Sequence, residues 1–121
     1  HFFTPYATDG AIVATPTGST AYAFSARGPI VAPAHRALQL TPVSPHMLFD
    51  RTLVLDSDTI VDLVAGRDRP AILEVDGRVV ADVAPGDRVR CTASPHVARV
   101  VSFGPRDFHR ILKAKFGLSD R

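Results

Sequence analysis

Between Asp50 and Phe103 the chain is a series of short Val-, Ile- and Leu-rich runs, broken by Gly, Pro, Asp or Ser about every ten positions. That pattern is the signature of an all-β sandwich or meander. Strands are expected at Thr52–Leu55, Thr59–Ala65, Ala71–Val75, Arg78–Val83, Arg88–Ala93 and Val97–Phe103. The sharpest local signal is AILEVDGRVVADV, in which Asp76-Gly77 can take the positive φ values of a two-residue type I′ turn. Pro45, Pro70, Pro85 and Pro95 fall between the runs, where a missing N–H breaks no ladder.

The two ends of the chain read differently. Near the N-terminus, Ala11–Ala14 reads as a buried strand that Pro16 and Gly18 break into a turn. Ser19 or Thr17 is then placed to cap a short helix from Thr20 to Ala26, ended by Gly28-Pro29. Such a strand, hydroxyl-rich turn and helix start presents unpaired N–H groups to a polar ligand, and Gly18 leaves room for it. The same residues make a sound helix start with no ligand at all. The segment lacks the Walker lysine and spacing, the Gly-x-Gly-x-x-Gly turn and the Gly-x-Ser-x-Gly elbow. At the C-terminus, Asp107 is placed to cap a helix over about 107–116 whose apolar Phe108, Ile111, Leu112 and Phe116 face the sheets, with Gly117 at its left-handed end. The proline-rich stretch 33–47 reads as a loop.

Composition narrows the function classes. With 121 residues and 45% hydrophobic content the chain suits one domain, 1–121. Fourteen Lys and Arg against twelve acids leave a net charge of +2, too slight and too scattered to point to nucleic acid. Cys91 is the sole cysteine and the five histidines have no ligand spacing, so neither a disulfide nor a zinc site is expected. No apolar run approaches a membrane span, and the start, HFFTPYATDG, has neither a signal-peptide layout nor a Met. The chain therefore reads as a piece of something longer, in a reducing, cytoplasmic setting.

The combination DGAIVATPTGSTAYAFSARGPIV, followed by LTPVSPHMLFDRTLVL and the VDG hairpin, resembles the C-terminal domain of NAD kinases over nearly the whole chain. The resemblance implies a mainly β fold of two packed antiparallel sheets, a short helix near residues 20–26 and a C-terminal helix near 107–116. It also implies transfer of the ATP or polyphosphate γ-phosphoryl group, with Mg²⁺, to the adenosine ribose 2′-hydroxyl of NAD. The family's catalytic Asp lies in a Gly-Gly-Asp-Gly motif of an N-terminal α/β domain, and an Asn-Glu pair follows it. Neither occurs in this sequence.

By position, Asp9 would accept hydrogen bonds from the bound dinucleotide, and Thr20, Ala21 and Tyr22 would line its pocket. Ala23, Phe24 and Ser25 complete that stretch, Thr17 adds a polar contact, and Arg78 belongs to the hairpin near the nucleotide. Tyr22 would stack, while Phe24 at its helical position reads more readily as core. Arg27 stands where the family usually has glycine, and Ala7 where many members carry a base. The family also implies homodimers or homotetramers, no nucleic acid and no membrane. The rival readings are a non-catalytic dinucleotide-binding or assembly module, and the β-domain of a lipid kinase.

Overall fold

A computed structural model describes residues 2–119. In chain order its elements are β1 (Gly10–Ala14), a 3₁₀ turn (Thr17–Thr20), the one-turn helix α1 (Tyr22–Ser25), β2 (Ala37–Val43), β3 (Leu53–Asp56), β4 (Val61–Val64), β5 (Ala71–Val75), β6 (Arg78–Val83), β7 (Arg88–Cys91) and α2 (Phe108–Phe116). The mainly β, antiparallel character expected from the sequence is what the structure has. Its hydrogen bonds, however, divide the strands into a three-stranded sheet β1-β2-β3 and two ribbons, β4-β7 and β5-β6, instead of two sheets. The β5-β6 hairpin is nested between β4 and β7 in the chain, and each pair closes on itself.

The centre of the molecule is β2, a strand where the prolines of 33–47 suggest a loop. Ala37 to Pro42 are all buried. Sequence pattern conceals the strand because Gln39 and Thr41 have the composition of surface residues. Their polar ends are partly satisfied inside: Gln39 Nε2 donates to the Pro29 carbonyl at 3.3 Å and Thr41 Oγ1 lies 3.0 Å from Thr52 Oγ1, while Gln39 Oε1 is buried with no partner among the described residues. Pairing of this kind offsets part of the cost of burying polar groups. Pro42 sits past the Leu40↔Leu53 end of the β2-β3 ladder, where β3 no longer asks for an N–H.

The expected strand Val97–Phe103 does not form, and Val97, Val100, Val101 and Phe103 are all strongly exposed. A β-rich segment becomes a strand only by joining a neighbouring edge, and Val97–Phe103 joins none, although the two-stranded β4-β7 ribbon leaves its outer edges unpaired. By contrast, Asp76 (φ 50) and Gly77 (φ 78) make the expected tight turn joining Val75 to Arg78. Gly86 (φ 87) completes the Ala84–Asp87 turn, which docks on Ala65 through Gly86 N–H to Ala65 O at 2.9 Å. Asp107 caps α2 as anticipated, its Oδ1 accepting from the Arg110 N–H at 3.2 Å, and Gly117 ends it at φ 63. The ring contact of α2 is with α1, Phe116 to Phe24 at 5.3 Å between centroids, where the sequence suggests packing on the sheets.

Candidate functional site

The segment after β1 is not one capped helix from Thr20 to Ala26. Backbone at Ala21 (φ −92, ψ −129) separates the 3₁₀ turn from α1. Neither Thr17 nor Ser19 caps a helix; the hydroxyl that meets the turn is that of Thr15, accepting from the Gly18 N–H at 3.2 Å. Ser19 is wholly buried and acts as a latch instead. Its Oγ donates to the Pro16 carbonyl at 2.6 Å and accepts the Val31 N–H at 2.9 Å, tying the turn to the return segment after α1.

The end of α1 is a two-bond closure. Arg27 N–H donates to Phe24 O at 3.0 Å and Gly28 N–H to Ala23 O at 2.8 Å. This is the Schellman pattern, which requires a left-handed residue at the first position past the cap. That residue is Arg27, at φ 71. Gly28 has a different duty: a Cβ there would lie 2.8 Å from Ala23 O and 3.1 Å from Thr41 Oγ1, so the chain crosses β2 at a spacing only glycine permits. Gly18 is under no such constraint, since a Cβ there would meet its neighbours at ordinary distances.

Where α1 returns across the sheet it leaves a groove of about 760 Å³ between its own end, the Pro42–Pro45 end of β2 and the Asp50–Thr52 entry to β3. Tyr22 and Ser25 of the expected set line it, together with Arg27. Asp9 stands at the same end of the sheet. Its N–H donates to the carbonyl of the groove residue Val43 at 2.9 Å, and the Thr8 hydroxyl reaches that carbonyl too. The Asp9 carboxylate is exposed, 3.5 Å from His46 Nε2, and His46 is held by its N–H to Ala7 O at 2.6 Å. The other expected residues do not line the groove. Thr17, Thr20 and Ala21 follow the turn, Ala23 is buried beneath it, Phe24, read from the sequence as core, is instead 40% exposed and leans on Phe116, and Arg78 is at the β5-β6 hairpin. Sequence reasoning gave no role to Ser44, Asp50, Arg51 or Thr52. Their only signal was the TPVSPH and DRT strings, and it takes the β1-β2-β3 register to bring these beside α1.

With this geometry in view, comparison with known proteins is decisive. Residues 1–103 match the family of the ATP-NAD kinase C-terminal domain. The chain belongs to the NAD kinase family. It is 44% identical over 116 residues to NAD kinase 1 of Streptomyces avermitilis, covering 95% of this chain and 32% of that protein. To the NAD kinase of Geobacter metallireducens it is 36% identical over 122 residues, covering 100% and 43%. Among solved structures it resembles the yeast NADH kinase complexed with NADH, at a TM-score of 0.69 and 39% identity over 74% of this chain and 26% of that one. The chain thus spans less than half the length of each of these relatives.

The strongest electrostatic feature of this NAD kinase domain lies away from the groove. Arg90 forks onto Asp62 across β4-β7 at 2.8 and 2.9 Å, with Arg88 at 3.7 Å. The Arg90 hydrogen bond holds the Asp62 carboxyl below its ordinary range, and Asp62 in turn raises Arg90. Burial pushes the Cys91 thiol up, which leaves it a poor nucleophile. Burial likewise raises Tyr6, whose hydroxyl has no partner among the described residues. Among the described residues no three His, Cys, Asp or Glu side chains gather as metal ligands, and no helix is long and apolar enough to cross a membrane.

Proposed function

We propose that this chain is the dinucleotide-binding part of an NAD kinase: it holds NAD and presents the adenosine ribose 2′-hydroxyl to a phosphoryl donor. The observation that carries the reading is the position of Tyr22 and Ser25, from the string TPTGSTAYAFS, in a groove whose volume of about 760 Å³ suits a small-molecule ligand. The likeness to a kinase solved with NADH supports the same ligand class. In this reading Asp9 accepts from an amide or base N–H of the ligand, Tyr22 offers its ring face and Ser25 a hydroxyl. Thr17, Thr20 and Ala21 frame the approach, Ala23 and Phe24 support the turn, and Arg78 meets the ligand from the hairpin.

In the reaction the 2′-oxygen attacks the γ-phosphorus of ATP, the bond to ADP breaks, and the hydroxyl proton passes to a carboxylate supplied outside this chain. Mg²⁺ bound with the ATP phosphates would neutralise their charge; the described residues gather no ligand set that would hold it. What this chain contributes is position, fixing one hydroxyl in line for transfer. Homo-oligomers complete the assembly.

Isothermal titration of the protein with NAD tests this. Asp9→Ala and Tyr22→Ala are each expected to weaken binding about tenfold, the loss of one charge-assisted hydrogen bond or one stacking contact. A coupled assay with ATP, run on the protein in full, should then show NADP formation that falls in parallel. A folded protein that binds no dinucleotide would overturn the assignment. Binding without turnover by the protein in full would favour a non-catalytic module.

A further inference from the structure

We propose that Arg27 is a specificity-determining residue of the α1 groove, its guanidinium binding a phosphate group of the ligand. That the ligand is a dinucleotide rests on the reading above; that the site is anionic in preference rests on the following observations.

Among the described residues three non-glycine residues have positive φ: Arg27, Ser44 and Asp76. Asp76 belongs to the hairpin turn that demands it. The other two, Arg27 (φ 71) and Ser44 (φ 47), both line the groove. Left-handed backbone at residues bearing a Cβ gathers at binding sites, and it survives only where the surroundings over-determine it. Here they do. The Arg27 and Gly28 N–H groups are both bonded back to α1, the buried Gln39 amide holds Pro29 O, and the wholly buried Ser19 holds the Val31 N–H. Glycine would fill the Arg27 backbone position without strain, so the side chain calls for a separate reason.

Its electrostatic setting supplies one. Arg27 has no hydrogen bond or ion pair to its side chain among the described residues, leaving the five guanidinium donors open. The neighbouring acid is otherwise engaged, since Asp50 Oδ1 lies 3.6 Å from Arg51 Nε. The groove therefore keeps one uncompensated positive charge beside the Ser25 hydroxyl. A planar fork with a flanking hydroxyl donor matches phosphate oxygens two at a time.

The test is a titration of the protein with NAD, inorganic pyrophosphate and adenosine, for wild type, Arg27→Gly and Arg27→Lys, with thermal midpoints measured alongside. Arg27→Gly is expected to weaken NAD and pyrophosphate about tenfold, to leave adenosine unchanged and to raise the midpoint. Arg27→Lys should recover part of the affinity, since it keeps the charge and loses the fork. A merely structural arginine would move adenosine and NAD together. Undiminished NAD and pyrophosphate binding by Arg27→Gly would overturn the proposal. If wild type binds pyrophosphate but not NAD, the dinucleotide reading fails and the glycine variant still decides the role of Arg27. If it binds neither, both fail.

Discussion

At the scale of single residues, the glycine and serine positions near α1 carry consequences that differ in sign. Arg27→Gly removes left-handed strain at a cost in unfolded-state freedom, and is expected to stabilise by about 0.5–1 kcal/mol. Gly28→Ala, one position on, drives a Cβ to 2.8 Å from the Ala23 carbonyl and should destabilise by about 1–3 kcal/mol. Ser19→Ala strands the Val31 N–H in the interior and should cost about 1–3 kcal/mol. Urea unfolding of the three variants checks all of these, and an Arg27→Gly that unfolds more easily than wild type would refute the strain argument. The sequence showed that glycine, serine and arginine cluster here. It could not assign the tight crossing to Gly28, because the passage over Thr41 is set by how the segment after α1 meets β2, nor the positive φ to Arg27, because the closing bonds follow from a helix that stops at Ser25 where the sequence suggests Ala26.

At the scale of elements, the locally encoded units are those most legible in the sequence. The Asp76-Gly77 hairpin and the Asp107-capped α2 depend on bonds within a few residues. Asp107→Ala should accordingly cost about 1 kcal/mol of helix stability, visible as faster amide exchange at Arg110. The β4-β7 ribbon carries a pH signature. The Arg90 hydrogen bond lowers the folded pKa of Asp62, so its contribution is present above the ordinary aspartate value of about 3.9 and is lost as pH falls through the folded value. Asp62→Asn should therefore unfold more readily than wild type at neutral pH, with the gap closing below about pH 4. Thermal midpoints from about pH 2 to about pH 7 that run parallel would contradict this. Val97–Phe103 and β2 show the opposite case, in which local composition misleads. Val97–Phe103 has strand composition and joins no sheet edge. The β2 segment has loop composition, and it is buried because two neighbouring strands and a covering turn surround it.

At the scale of the whole molecule the accessible surface is 9873 Å², whereas a compact monomer of 13.0 kDa exposes about 6,300 Å². The difference, roughly 3,500 Å², exceeds one standard protein interface, and much of it is apolar, at Val97, Val100, Val101 and Phe103 and on the β5-β6 ribbon at Ile72, Val79 and Val80. The 121-residue chain by itself is expected to self-associate and to bind an apolar dye. Val101→Lys should reduce both without loss of far-UV signal, as the residue belongs to no strand; light scattering that finds a dye-free monomer would count against it. What the sequence by itself determined was the β class, the family carried by TPTGSTAYAFS, the Asp76-Gly77 turn and the Asp107 cap, because each depends on neighbours in the chain. What only the tertiary structure decided was which polar residues are buried, which residue bears the left-handed backbone, and that Arg27, Ser44 and Arg51 share a groove with Tyr22. Those outcomes depend on strand register and on the return of α1 across β2, and groups brought together from distant parts of the chain leave no periodic trace in it.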